Sequence, residues 1–324
     1  MTLPVSGSAP VAGGETRVQE ASVPASAAPT FPRRILACLS LSPRAPMIAA
    51  ETLRLARAAN AECLFLHVGK NTPEAQAKLR NSMAEAGVDA DAPLIVREGK
   101  AQPVITQVVQ EQDIDLVVAG VLNRQASFRR HVQAVAGQIA SRVPCSVLLL
   151  THPQIEPPAL ERCVVSVDFD NLSGRMLRAI LPWGRALGIR QWHIVHEYDP
   201  RDYYMPRSNA PAESRAARAR RLGAFIRPFN WSGLHPHTLC LTNRHGGDAI
   251  WYSQVVRADL LCLPLSSRVQ RFWERMFTFR LNVDIHALPC ALLLYRDGLN
   301  DDVGEQDSEW NDSNAAETDA RQQA

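Results

Sequence analysis

Three groups of residues in this chain have side chains that could do chemistry. Ser40 and Ser42 close an apolar run, where a hydroxyl nucleophile could stand. His235 and His237 flank a proline, with His245 and Asp248 close behind, and paired imidazoles are a common start for a metal site. Four arginines fall within the seven residues 215–221 (RAARARR) and could meet a phosphate-rich partner. None of the three is complete. A serine nucleophile needs a base, and no base has an assigned position; no G-x-S-x-G elbow, H-E-x-x-H helix or P-loop occurs. The histidine pair lacks a carboxylate or cysteine at ligand spacing. His193 and His196, three residues apart on an extended run, fall on opposite faces and share no ligand set. Gly246-Gly247 lacks the third glycine and the preceding strand of a dinucleotide fingerprint, so it reads as a helix entry with Asp248 near the first turn. The arginine run reads as the solvated face of a helix. No catalytic residue and no metal ligand is therefore expected.

The bulk numbers narrow the class. Thirty-five basic and 33 acidic residues leave a net charge of +2, which gives no argument for nucleic acid or an anionic membrane as partner. No apolar run approaches the length of a membrane-spanning helix, so no membrane insertion is expected. The 324 residues suggest about two domains. Seven cysteines, at 38, 63, 145, 163, 240, 262 and 290, lie mostly in apolar runs and form no C-x-x-C; they read as reduced core thiols of a cytoplasmic chain. Residues 1–31, rich in Ala, Ser, Pro and Gly, lack both a secretory h-region and any packing period, and are expected to stay disordered. The same expectation holds for the acidic tail, 298–324.

The elements that must position any site follow from periodicity. Short apolar runs at 33–41 (RRILACLSL), 63–68, 92–96, 115–120 and 146–151 predict strands buried on both faces. Helical stretches at 46–60, 73–86, 103–112 and 128–142 lie between them. Strands that alternate with helices predict a parallel sheet covered on both sides. The order then recurs. Strands are predicted at 162–167, 192–197, 237–242, 258–264 and 291–295, and helices at 172–187, 211–225, 248–256 and 272–287. His67 corresponds to His196, Asp115 to Asp259, and Pro144-Cys145 to Pro289-Cys290. The second copy carries a longer insert, 199–235, with Tyr203, Tyr204, Phe229 and Trp231.

Five strands in this order, twice, each copy closing on P-C-x-x-L-L-L or P-C-x-L-L-L, resemble the universal stress protein family in its tandem form. The resemblance covers 33–152 and 162–296. It implies an α/β fold of two tandem Rossmann-like (adenine nucleotide α-hydrolase-like) domains, each a five-stranded parallel sheet with helices on both faces. The expected boundaries are 32–152 and 161–297. It also implies that the fifth strands pair across a twofold, here within one chain, as an intramolecular pseudo-dimer.

Nucleotide-binding members of that family carry an Asp after the first strand and G-x2-G-x9-G-[ST] after the fourth. Glycines let backbone N–H groups approach phosphates, and a hydroxyl adds a donor. In the first copy Ser40 stands in the Asp position; Gly120 survives, Asn123 replaces the second glycine, and Gln133-Ala134 replace G-[ST], while Arg124, Arg129, Arg130 and His131 remain nearby. The second copy keeps the Asp as Asp168, but its loop reads Pro264, Ser267, Phe277, Thr278, with Arg268, Arg271 and Arg275 beside it. Pro264 has no N–H to offer, and Phe277 puts bulk where the family has none. The candidate nucleotide residues are therefore Ser40, Gly120, Asn123, Arg129, Asp168, Ser267 and Thr278, split between two degenerate sites. The expected function is a non-enzymatic stress-response regulator acting through protein contacts. The rivals are an ATP- or AMP-binding member with weak hydrolysis, and a ligand-free partner module for a transporter or kinase.

Overall fold

A computed structural model describes residues 31–121, 139, 142–198, 214–242, 248–265 and 290–297. Both chain ends, residues 199–213 of the insert, the helix expected at 272–287 and nearly all of that at 128–142 lie outside the described residues. Ten strands are present: β1 Arg34–Cys38, β2 Glu62–Val68, β3 Leu94–Arg97, β4 Leu116–Gly120, β5 Ser146–Leu150, β6 Arg162–Ser166, β7 Gln191–Tyr198, β8 His235–Thr242, β9 Leu260–Pro264 and β10 Ala291–Tyr295. Six described helices alternate with them: α1 Ala45–Ala59, α2 Pro73–Glu85, α3 Ala101–Glu111, α4 Asn171–Ala186, α5 Arg215–Ile226 and α6 Asp248–Val255.

Local signals set several helix starts. Thr72 caps α2 by accepting from the Ala75 N–H at 3.2 Å, with Pro73 in the first turn, where its missing N–H costs nothing. Ser214 does the same for α5 through the Ala217 N–H, also at 3.2 Å. The helix α1 ends on Asn60 in the left-handed region (φ 53°), a conformation in which Asn is among the least strained residues.

The strand order is β3-β2-β1-β4-β5-β10-β9-β6-β7-β8. All neighbours are parallel except β5 and β10, which run antiparallel. Two five-stranded parallel sheets thus join into one ten-stranded sheet. In the join Leu148 faces Leu293, Leu149 faces Leu292 and Val147 faces Leu294. Counted from the two Pro-Cys pairs, Leu148 and Leu293 hold the same place (148 − 145 = 293 − 290 = 3). Equivalent residues meeting on one another put a local twofold axis through that pair. The seam is sealed by Ser146, whose Oγ accepts from the Arg296 N–H and donates to its carbonyl, both at 3.1 Å.

Alternating side chains feed two cores, one on each face. Ile35, Phe65, Leu148, Cys163, Trp192 and Leu293 belong to the face covered by α1, α2, α4 and α5; Leu36, Val117, Val164, Leu261 and Leu292 belong to the face of α3 and α6. Each core draws on both halves of the chain. The halves also touch through helices: the Trp183 indole N–H donates to the Leu55 carbonyl at 3.1 Å, and Phe31 packs edge-on against Trp183 and Tyr295.

The duplication extends to individual hydrogen bonds. Asp115 Oδ2 accepts from the N–H groups of Arg33 and Arg34 at 2.9 and 3.0 Å. Asp259 Oδ2 accepts from those of Glu161 and Arg162 at 2.8 and 2.9 Å. Each Asp satisfies the donors that open the first strand of its half. One boundary differs from the sequence reading: β8 begins at His235, not at residue 237, and so takes in Pro236. An edge strand tolerates a proline because one row of its backbone groups has no ladder partner to lose.

Candidate functional site

In a doubly wound sheet, ligands bind beyond the carboxyl ends of the strands at the point where strand order reverses. Here those points are β1/β4 in the first half and β6/β9 in the second. Ser40 and Gly120 stand together at the first mouth, one just past β1 and the other ending β4. Asp168 stands at the second mouth, in the other half of the chain. Asn123, Arg129, Ser267 and Thr278 lie outside the described residues.

The second mouth is built on the turn Val167-Asp168-Phe169-Asp170. Asp170 caps α4 by accepting from the Ser173 N–H at 2.7 Å, and Ser173 Oγ in return accepts from the Asp168 N–H at 3.0 Å. The anion that a helix start favours is thus supplied by the chain itself. The turn holds Phe169 at φ 59°, a left-handed conformation that costs a bulky residue about 1–2 kcal/mol. Its ring is 9% exposed. It lies against the His196 imidazole (4.1 Å between centroids), meets Phe225 edge-on at 5.8 Å, and is covered by the Arg221 guanidinium at 4.9 Å. Beside it, Arg218 lies over the Tyr198 ring at 4.7 Å. Phe169 thus stands on the β7 side of this mouth, under an arginine.

Two titrating groups line this region. His196 Nδ1 pairs with the Val167 carbonyl at 2.8 Å, so Nδ1 carries the proton and donates. Burial lowers its pKa, with Arg218 and Arg221 adding to the effect against the hydrogen bond to Val167. The imidazole is neutral at physiological pH. Glu197, next along β7, accepts from the Ala249 N–H at 2.5 Å in the first turn of α6. Burial pushes its carboxyl up to about 7, and the charges of Asp248 and Asp168 push the same way.

Different residues stand at the first mouth. The hydroxyls of Ser40 and Ser42 bond each other at 2.9 Å. Arg44 donates to the Val121 carbonyl at 2.8 Å, tying the loop after β1 to the end of β4 across the crevice. His67 Nδ1 meets the Leu39 carbonyl at 2.9 Å, the counterpart of His196 and Val167. A Cβ on Gly120 would come within 2.5 Å of Ile48 Cδ1 on α1. A side chain at position 120 would therefore force Ile48 to shift, a packing reason for glycine that is independent of any phosphate.

Sequence reasoning placed Ser40, Gly120 and Asp168 at strand ends, where they are. It missed Phe169, Arg44 and Glu197. The first had a visible mark: a large aromatic between two Asp in SVDFD, at the place where a chain turns into a helix. Among the described residues no group of three His, Cys, Asp or Glu side chains converges to hold a metal.

Parallel strands with helices on both faces and loops at the switch points define a Rossmann-like α/β protein. Residues 32–151 match the model of the Universal stress protein family. Solved structures extend the likeness of fold across both halves. A functionally unknown protein from Pseudomonas aeruginosa PAO1 is 13% identical with a TM-score of 0.56, covering 82% of this chain and 93% of that one. A universal stress protein from Archaeoglobus fulgidus DSM 4304 is 14% identical with a TM-score of 0.53, covering 82% and 96%. A putative universal stress protein from Pseudomonas aeruginosa UCBPP-PA14 is 13% identical with a TM-score of 0.54, covering 82% and 93%. No curated protein sequence matches the chain. Among the described residues no helix is long and apolar enough to cross a membrane.

Proposed function

We propose that this chain is a non-enzymatic, cytoplasmic regulator of the universal stress type. Its two tandem domains, 32–152 and 161–297, form an internal pseudo-dimer that works through contacts with another protein and has given up adenine nucleotide as a ligand. The observation that carries this reading is that, among the described residues, the chain's own side chains already make contacts at both strand-end mouths. Phe169, under Arg221 and against His196, takes the space an aromatic base would need. Arg44 spans the other crevice to Val121. The α4 start already has its carboxylate in Asp170, which repels a phosphate placed there.

At the two mouths no described hydroxyl pairs with an imidazole: Ser40 bonds Ser42, and His67 and His196 each spend Nδ1 on a backbone carbonyl. Turnover is therefore not expected. The test is thermal unfolding of the full chain with millimolar ATP or AMP, together with a phosphate-release assay. A ligand present at 100 times its Kd stabilises by about 2.7 kcal/mol. An unchanged midpoint and no phosphate release support the proposal. A nucleotide-dependent rise of several degrees would move it to the nucleotide-binding reading, and phosphate release that tracks purity would move it to the hydrolase.

A further inference from the structure

The sheet edge in the second half carries a cluster that plays no part in either mouth. Val195 on β7 and Leu239 and Leu241 on β8 belong to the α6-side core, so His193, His235 and His237 share that face by strand alternation. In the β7–β8 ladder His193 faces His237 directly, and Gln191 faces His235. The His193 and His237 rings stack at 5.0 Å between centroids, tilted by 24°. The neighbouring helix supplies an anchor: His193 Nδ1 bonds the Tyr252 hydroxyl at 2.9 Å. That leaves His193 Nε2 buried with no hydrogen-bond partner among the described residues. A buried nitrogen left unpaired costs about 1–3 kcal/mol, so its persistence calls for an explanation.

We propose that His193 and His237 form a two-imidazole binding site, completed by water, for a divalent late transition-metal ion of the Zn2+ class, with the exposed His235 further along the same strand. The arrangement has the parts such a site needs. One ring nitrogen of His193 is held by Tyr252, which fixes the ring and leaves the other nitrogen as the donor, the usual outer-shell device of metal-bound histidine. Metal ligation requires neutral imidazole. His237 is exposed at the sheet edge, so an ion and its waters have access. With His193 held by Tyr252, bringing a second nitrogen onto the ion requires rotation of the exposed His237 ring alone about χ2, a soft torsion. His-Pro-His presents His235 and His237 on one face about 6.6 Å apart along the strand. The ion would replace a missing partner for Nε2 and tie edge strand β8 to β7. Arg162, held by Gln191 Oε1 at 3.0 Å, adds positive charge nearby and keeps the site weaker than a carboxylate-backed one.

The test is calorimetric titration of the full chain with Zn2+ in a non-chelating buffer, alongside thermal unfolding with and without the ion. The expected result is one equivalent bound, a raised midpoint, and at least a tenfold loss of affinity in His237→Ala. Because His193 is half-buried, its outer-shell role is read through Tyr252→Phe, which keeps the ring and removes the hydroxyl. That variant should bind about 10–100-fold more weakly, while its metal-free midpoint falls only by what one lost hydrogen bond at a half-buried ring costs. Absence of Zn2+ binding in the parent, or binding unchanged in both His237→Ala and Tyr252→Phe, overturns the site. Loss in His235→Ala alone would also overturn it, since the ion would then sit on β8 without β7.

Discussion

Phe169 offers the sharpest test of the idea that the second mouth is closed from within. Replacing it with Ala removes a ring that is 9% exposed and packed by His196, Phe225 and Arg221. Buried Phe→Ala changes cost about 3–5 kcal/mol, and a position next to solvent belongs at the lower end, about 3. Gly at the same place removes the same ring but also relieves the left-handed strain at φ 59°. That relief is about 1–2 kcal/mol, set against about 0.4–1 kcal/mol for the freer unfolded chain. Phe169→Gly should therefore be more stable than Phe169→Ala by about 1 kcal/mol, an inversion of the usual order. For a folded unit of this size, 3 kcal/mol lowers the melting midpoint by roughly 6–12 °C. Thermal unfolding followed by far-ultraviolet dichroism reads all three proteins. Adenosine at millimolar concentration should raise the midpoint of either variant, because it refills the vacated space, and leave the parent unmoved. Variants within 1 kcal/mol of the parent, or a parent that responds to adenosine as they do, would refute the plug.

Other outcomes follow from the same geometry. Gly120→Ala should cost about 1–2 kcal/mol by overpacking against Ile48, and Ile48→Val, which deletes the clashing methyl, should recover part of it; a double-mutant cycle in urea with no coupling would mean Gly120 is kept for another reason. Glu197 has its carboxyl raised to about 7, so its neutral form is the one favoured by folding: the stability it contributes is complete below about pH 4.5 and is lost as pH rises through 7. Glu197→Gln keeps an acceptor for the Ala249 N–H and should remove that decline, up to about 3 kcal/mol, measured as urea midpoints at pH 5 and pH 8. Asp115→Ala and Asp259→Ala each strand two backbone donors, should each cost about 2 kcal/mol, and should add in the double variant, since the two sites lie in different halves; strong non-additivity would argue against equivalent roles.

The element order, the duplication and the strand-end location of Ser40, Gly120 and Asp168 were all legible in the sequence, because period and spacing encode them locally. The matching of Asp115 with Asp259 was also legible, although nothing in the sequence said that each accepts two N–H groups. What escaped was whatever depends on register or on the direction of a turn. His193 and His237 are 44 residues apart (237 − 193) and meet only because β7 and β8 pair in that register. Phe169 reads as one more apolar residue until the turn is seen to aim it back over the mouth. Gly120 was read through a phosphate-loop pattern, while the structure supplies a packing reason in Ile48.

The β5–β10 seam has a consequence for how the chain is made. The partner for Leu148 is Leu293, and 145 residues (293 − 148) must be translated between them. At about 5–20 residues per second that is roughly 7–30 s in which a nascent first half presents a bare strand border, apolar but for Ser146, to its surroundings. Such a border is a template for mispairing with a neighbouring nascent copy. Expression that is slowed within the second half should therefore raise the yield of entangled dimers, in which β5 of one molecule has accepted β10 of another.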